Sequence, residues 1–206
     1  MAAGLDDLVA ARSLTATWLT LRDSYAESLR LGQLQRYRRR RWDRAREFAG
    51  WLSEKELPSL SMDRALTLHR ASGSSRMAEF GTSSIEDIRD SLDFLLYDTI
   101  KLEGRFGECA SNGGAYKLAG AGKEFVSYLM CLRETTLFAV WNRPAEGALK
   151  LLGMYPATLR HGDLGLGYLD LLEVLQRARQ QLGLAHFPAV DEFCYAVSRR
   201  RKPGIG

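Results

Sequence analysis

Cysteine is scarce: the 206-residue chain has three, Cys109, Cys131 and Cys194, far apart and odd in number. Without a C-x-x-C pair they make no disulfide scaffold. The three histidines, His69, His161 and His186, show no zinc spacing with them. The expectation is a reduced protein with no metal and no cofactor, its thiols buried as small apolar groups. Only five prolines are present, and the composition fits neither a collagen-like nor a broadly disordered chain. No run reaches the ~20 apolar residues of a membrane span. The first thirty residues also lack the basic start and apolar stretch of a signal peptide. These absences predict a cytoplasmic protein that does not engage a membrane.

What the chain has is arginine, in clusters. There are 23 Arg against 6 Lys, and the net charge is +4. Residues 36–46 (RYRRRRWDRAR) carry +6 and residues 199–202 (RRRK) carry +4, which leaves an acidic remainder of −6. The planar guanidinium fork pairs bidentately with phosphates and carboxylates. Two kinds of partner follow. One is a phosphate backbone, whose counterions such a segment displaces; the other is an acidic protein. The Arg segment has no continuous bulky apolar face for a membrane surface.

The hydrophobic pattern is helical almost throughout and predicts an all-α, multi-helix orthogonal bundle. Helices are expected over 5–31, stopped by Gly32, and over 33–53, which carries the Arg run. A short helix capped by Ser61 and another capped by Ser84 follow, the latter running through Ile85, Ile88, Leu92, Leu95, Leu96 and Ile100. Residues 71–83 and 103–115 are rich in Gly and Ser and read as loops. Further helices are expected over 122–133, 144–153, 164–182 and 189–199, with Pro144 and Pro188 in first turns. Residues 137–140 (LFAV) read as a connection. This organisation divides into residues 1–70, a core over 84–198 and a basic tail over 199–206, or forms one continuous domain.

The most informative segment is YKLAGAGKEFVSYLMCLRETTLFAVWN, residues 116–142. Its Gly-Ala-Gly fails as a Walker A loop, because Glu124 stands where Ser or Thr is needed. It also fails as a dinucleotide fingerprint, for Phe125 replaces the third glycine. It does fit a helix-hairpin-helix turn near 116–126: Leu118, Gly120, Ala121 and Gly122, with Lys123 beside them. Glycines let backbone approach a phosphate, and the amides opening the next helix favour an anion.

With an acid-position residue 20 positions after the second glycine, in VWNRPAEGALKLLG, the segment resembles the helix-hairpin-helix DNA glycosylases of the endonuclease III-like superfamily. The resemblance implies binding of duplex DNA, with phosphate held by Gly120, Gly122 and Lys123, and with Arg143, Arg38, Arg39 and Arg41 adding charge. It places Asn142 where the family carries its catalytic Asp, and Glu124 where bifunctional members carry a Lys nucleophile. A neutral amide is no base at neutral pH, and three cysteines cannot hold the four-cysteine iron–sulfur site of some members. The implied protein therefore binds DNA on a catalytically degenerate scaffold, with Trp141 and Asn142 lining a pocket for a flipped base. More loosely, the run from Gly122 to Gly153 and the later FPAVDEFCYAV resemble helical modules of bacterial restriction and defence proteins, a setting that implies a larger protein system.

Two alternatives stay open. An active glycosylase would use another carboxylate, Asp163 or Glu124. A helical adaptor would offer its Arg helix to an acidic protein. Asp163, Asp170 and Glu173, like Asp191 and Glu192, read as helix-end residues that favour the dipole, and His161 as a loop residue.

Overall fold

The structure, a computed structural model, describes the backbone of residues 5–160 and 162–199 and the side chains of residues 18–157, 159 and 162–199. Every regular element among these residues is helical: α1 (Leu5–Arg30), α2 (Gln35–Arg41), α3 (Ala45–Trp51), α4 (Met62–Ser72), α5 (Met77–Phe80), α6 (Ile85–Tyr97), α7 (Leu102–Ala110), α8 (Lys123–Arg133), α9 (Arg143–Leu151), α10 (Leu164–Leu182) and α11 (Phe187–Arg199). His161 and residues 200–206, the bulk of the basic tail, lie outside the described residues.

Local chemistry sets most of the boundaries. The Ser61 side chain accepts from the Arg64 amide and Ser84 from the Asp87 amide, each satisfying a donor that the first turn leaves unpaired. Gly73 and Gly183 end α4 and α10 in the left-handed region, where a Cβ is costly. Residues 137–140 form a connection, as their pattern suggests.

Besides the single turn of α5, inside the stretch 71–83 expected to be a loop, two elements depart from expectation. The predicted helix over 33–53 is broken into α2 and α3 by residues 42–44. Tyr37, Arg41 and Trp42 all direct polar atoms at one carboxylate of α11, and successive residues of a straight helix point about 100° apart. The break lets Arg41 and Trp42 meet the same group. The other departure is α7, within a stretch expected to be a loop. It packs closely on α10: a Cβ on Gly165 of α10 would run into the Glu103 carbonyl of α7, whereas one on Gly107 would make an ordinary contact 3.9 Å from the Gly165 nitrogen. Helices in such close contact need small residues where they cross.

At the centre runs α8, buried at every position from Phe125 to Leu132. It packs against α3, α4, α6 and α7, while α11 packs against α1, α9 and α10. One apolar cluster runs from Trp18 to Val197 and draws on every helix except α2. Each fully buried Leu or Phe in it contributes about 1.5–3 kcal/mol.

Candidate functional site

The polar groups of the interior gather on α11. Asp191 and Glu192 are only 3% and 4% exposed. Asp191 Oδ2 accepts from the Tyr37 hydroxyl (2.8 Å) and the Trp42 indole N–H (3.1 Å), and lies 3.2 Å from Arg41 Nε. Its Oδ1 accepts from Asn142 Nδ2 at 2.6 Å. Glu192 accepts from the Tyr25 hydroxyl (3.1 Å) and Arg38 Nε (2.8 Å). Burial pushes the Glu192 carboxyl above its ordinary range, against the pull of Arg38. Both acids were expected to serve a helix end. They instead bind donors from α1, α2 and the head of α9. A signal for this was present: Asp191 sits four residues after Phe187 and three before Cys194, on the buried stripe of its helix.

Arg41 is 1% exposed and belongs to the same network. Its Nη1 donates to the Ser72 carbonyl and to Glu124 Oε1 (3.2 Å), and the guanidinium stands 5.0 Å from the Tyr128 ring centre. Burial disfavours its charge, but Asp191 and Glu124 more than offset that, and the group stays protonated. The expected role of Arg41 as an exposed phosphate contact is therefore corrected. Its charge is spent inside the protein.

In front of Arg41 opens a cleft of about 290 Å³, walled by residues 73–76 on one side and by Gly120, Gly122, Glu124 and Arg143 on the other. The Arg helix stands behind the wall of residues 73–76: Arg41 Nη1 and Arg40 Nη2 lie 2.9 and 3.5 Å from the point a Cβ on Gly73 would occupy, but neither arginine lines the cleft. Gly120 holds φ +66°, and a Cβ there would meet the Arg76 carbonyl and, at 2.7 Å, the Phe80 nitrogen. Gly122 is extended, opens α8 without a side-chain cap and has open space in front of it. Glu124 lines the cleft with a carboxyl raised by burial, against the pull of Arg41.

The residues singled out in the sequence thus separate. Gly120, Gly122 and Arg143 share the cleft with Glu124. Lys123 turns to Glu146 (Nζ–Oε1 2.5 Å) and lies 4.4 Å from the Trp141 ring centre. Arg38 is held by Glu192 and lines a different hollow with Gln35 and Asp43; Arg39 is exposed on α2. Trp141 is 2% exposed, its indole N–H donating to Glu146 Oε1 (2.8 Å) and its ring layered with Phe106 and Tyr168. Asn142, also 2% exposed, caps α9 by accepting from the Ala145 amide (2.8 Å) while its Nδ2 is held by Asp191. The pair has no open face toward a base here. The turn itself also differs from a hairpin between two helices. A helix follows Gly122, but α7 ends at Ala110 and residues 111–122 hold no helix, only turns such as Ala121 N to Leu118 O (3.2 Å).

A larger hollow of about 490 Å³ is acidic, with Glu103, Glu108 and Asp163 on its walls. Glu108 accepts from the Ala115 amide, and Asp163 caps α10 through the Gly165 and Leu166 amides. Glu173 pairs with Arg177. Among the described residues, no group of three His, Cys, Asp or Glu is placed to hold a metal ion and no helix is long and apolar enough to cross a membrane. No family model, curated protein or solved structure matches the chain.

Proposed function

We propose that the chain binds DNA through its phosphates, at the cleft between residues 73–76 and the Gly120–Gly122 turn, and does not excise a base. The observation that carries this reading is convergence. The uncapped head of α8, Arg143 and Arg76 meet at one opening. Amide donors at a helix start and a surrounding guanidinium set suit a phosphate oxygen. The absence of excision follows from Asn142, a neutral amide used as a cap where a carboxylate would be required. A setting in bacterial defence or repair, with a partner in a larger system, belongs to the same proposal and rests on the sequence resemblance.

The test is Gly122→Asp. An Asp at this position is a good N-cap, and the space before it is open, so the fold should persist. The new carboxylate would stand where a phosphate is expected to sit. Binding of a 20-base-pair duplex should weaken about tenfold or more, and wild-type affinity should fall steeply between 50 and 200 mM salt. Equal affinity of variant and wild type, or affinity that ignores salt, overturns the proposal.

A further inference from the structure

His69 of α4 is fully buried, and it is tied to both walls of the cleft. Its ring Nε2 lies 3.2 Å from the Gly120 carbonyl oxygen, on the wall opposite its own helix. A carbonyl only accepts, so Nε2 carries the proton and donates. The backbone carbonyl of His69 accepts from the Ser72 hydroxyl (2.7 Å), and that hydroxyl in turn accepts from the Ser74 amide (3.2 Å), on the near wall. The imidazole is layered on Phe80 with ring centres 4.4 Å apart, and Phe125 closes it from another side at 5.2 Å. Nδ1 is buried without a hydrogen-bond partner. An apolar ring of the same size would fill this space without that orphaned acceptor. Packing alone therefore does not account for an imidazole here; the bond to Gly120 does.

Gly120 is the point where the two walls touch, its backbone lying against the Arg76 carbonyl and the Phe80 nitrogen. The Gly120 carbonyl faces the protein interior, and Gly122, two residues on, opens α8 at the cleft. A donor that fixes that carbonyl also fixes how the peptide units of residues 120–122 are turned. We propose that His69 is the positioning residue of the cleft. Its Nε2–H locks the Gly120–Gly122 turn and so presents the head of α8 to a phosphate group. The positioning role stands on the geometry above, while its consequence for DNA rests on the function proposed for the cleft.

The test compares His69→Phe with His69→Gln in the full chain. Phe keeps the ring packing and removes the donor; the Gln amide nitrogen reaches to a position near that of Nε2. Two readouts keep the two ideas apart. Amide hydrogen exchange at Ala121, whose N–H is bonded to the Leu118 carbonyl (3.2 Å), reports the turn without any ligand. It should quicken about tenfold in His69→Phe, as expected for the loss of one hydrogen bond, and return to within about threefold of wild type in His69→Gln, with exchange in α10 and α11 unchanged. The second readout, affinity for a 20-base-pair duplex at 50 mM salt, should follow the same order. Wild-type exchange at the turn in His69→Phe overturns the positioning role, as does failure of Gln to restore it. Restored exchange in a protein that binds no duplex at any salt supports the positioning role and overturns only the DNA reading. If His69→Phe does not fold, His69→Leu against His69→Gln makes the same comparison.

Discussion

At Asn142 one side chain has two bonds to make, and both shape what a substitution can do. Its oxygen caps α9 and its nitrogen donates to Asp191. Asn142→Asp would restore the acid that the resembled glycosylases carry, and it would keep the cap, for which Asp is as good as Asn. It would also set a second carboxylate where Asn142 Nδ2 now lies, 2.6 Å from Asp191 Oδ1, with both residues buried. Two such groups cannot both ionise, so one proton is retained and a folded-state pKa rises above its unfolded value. A raised carboxyl contributes stability that is complete below the unfolded pKa and is lost as pH rises through the folded one. The variant should therefore lose thermal stability relative to wild type as pH is raised from 5 to 8, and should release no free base. Parallel stability profiles in calorimetry would refute the shared proton. The inward position of Asp191 explains why this site was only half legible. The spacing from Gly122 to Asn142 can be read along the chain, whereas the partner that determines the chemistry of Asn142 lies 49 residues away.

Among the elements, those with local signals were the readable ones. Ser61 and Ser84 mark helix starts, the span over 164–182 is α10 as observed, and α8 begins one residue after its expected start. α7 was not readable, because glycine is read as a breaker when nothing is known of what lies across from it. Here Gly165 is the spacer that lets α10 close on α7, and close packing overrides its poor helix propensity. This distinction has opposite consequences for two alanine substitutions. Gly147 lies within α9, and a Cβ there would make an ordinary contact 3.6 Å from the Ser198 Cβ. Gly147→Ala should stabilise the protein by up to about 1 kcal/mol, the propensity gain. Gly165→Ala gains the same propensity but drives a methyl into the Glu103 carbonyl, and should cost about 1–3 kcal/mol in net stability. Denaturant midpoints of the two variants should move in opposite directions. A shift of Gly165→Ala to higher denaturant would mean that α7 and α10 do not cross so closely.

Across the whole molecule, the uneven charge of the chain is resolved only in part by pairing, since six of the seven arginines in residues 36–46 are exposed. Arg38 and Arg41 of the basic segment are matched by Glu192 and by Asp191 with Glu124, so the acidic remainder and the Arg helix are partly one another's partners. That matching ties the first third of the chain to α8 and α11 through buried ions. Breaking a buried pair costs about 3–5 kcal/mol, so the N-terminal helices have little freedom to open alone. The apolar contacts point the same way, since Trp18, Phe48 and Leu52 belong to the same cluster as Tyr128 and Phe193. The natural probes are well placed to test this. Trp18, Trp42 and Trp51 belong to the N-terminal third, whereas Cys109, Cys131 and Cys194 lie in α7, α8 and α11. All three thiols are buried, and burial pushes Cys109 up to about 12 and raises Cys131 and Cys194 as well. They are thiols rather than thiolates at neutral pH, inert until the core opens. As denaturant is raised on a Trp141→Phe background, which leaves only the N-terminal tryptophans, fluorescence and the labelling of the cysteines by a thiol reagent should report one shared midpoint, as a single cooperative unit requires. Asp191→Asn, which leaves Arg41 short of its closest buried countercharge, should lower both midpoints together. Fluorescence that changes at lower denaturant than labelling would instead show the Arg-bearing helices releasing first. The cleft would then be an opening between two separable parts rather than a feature of one.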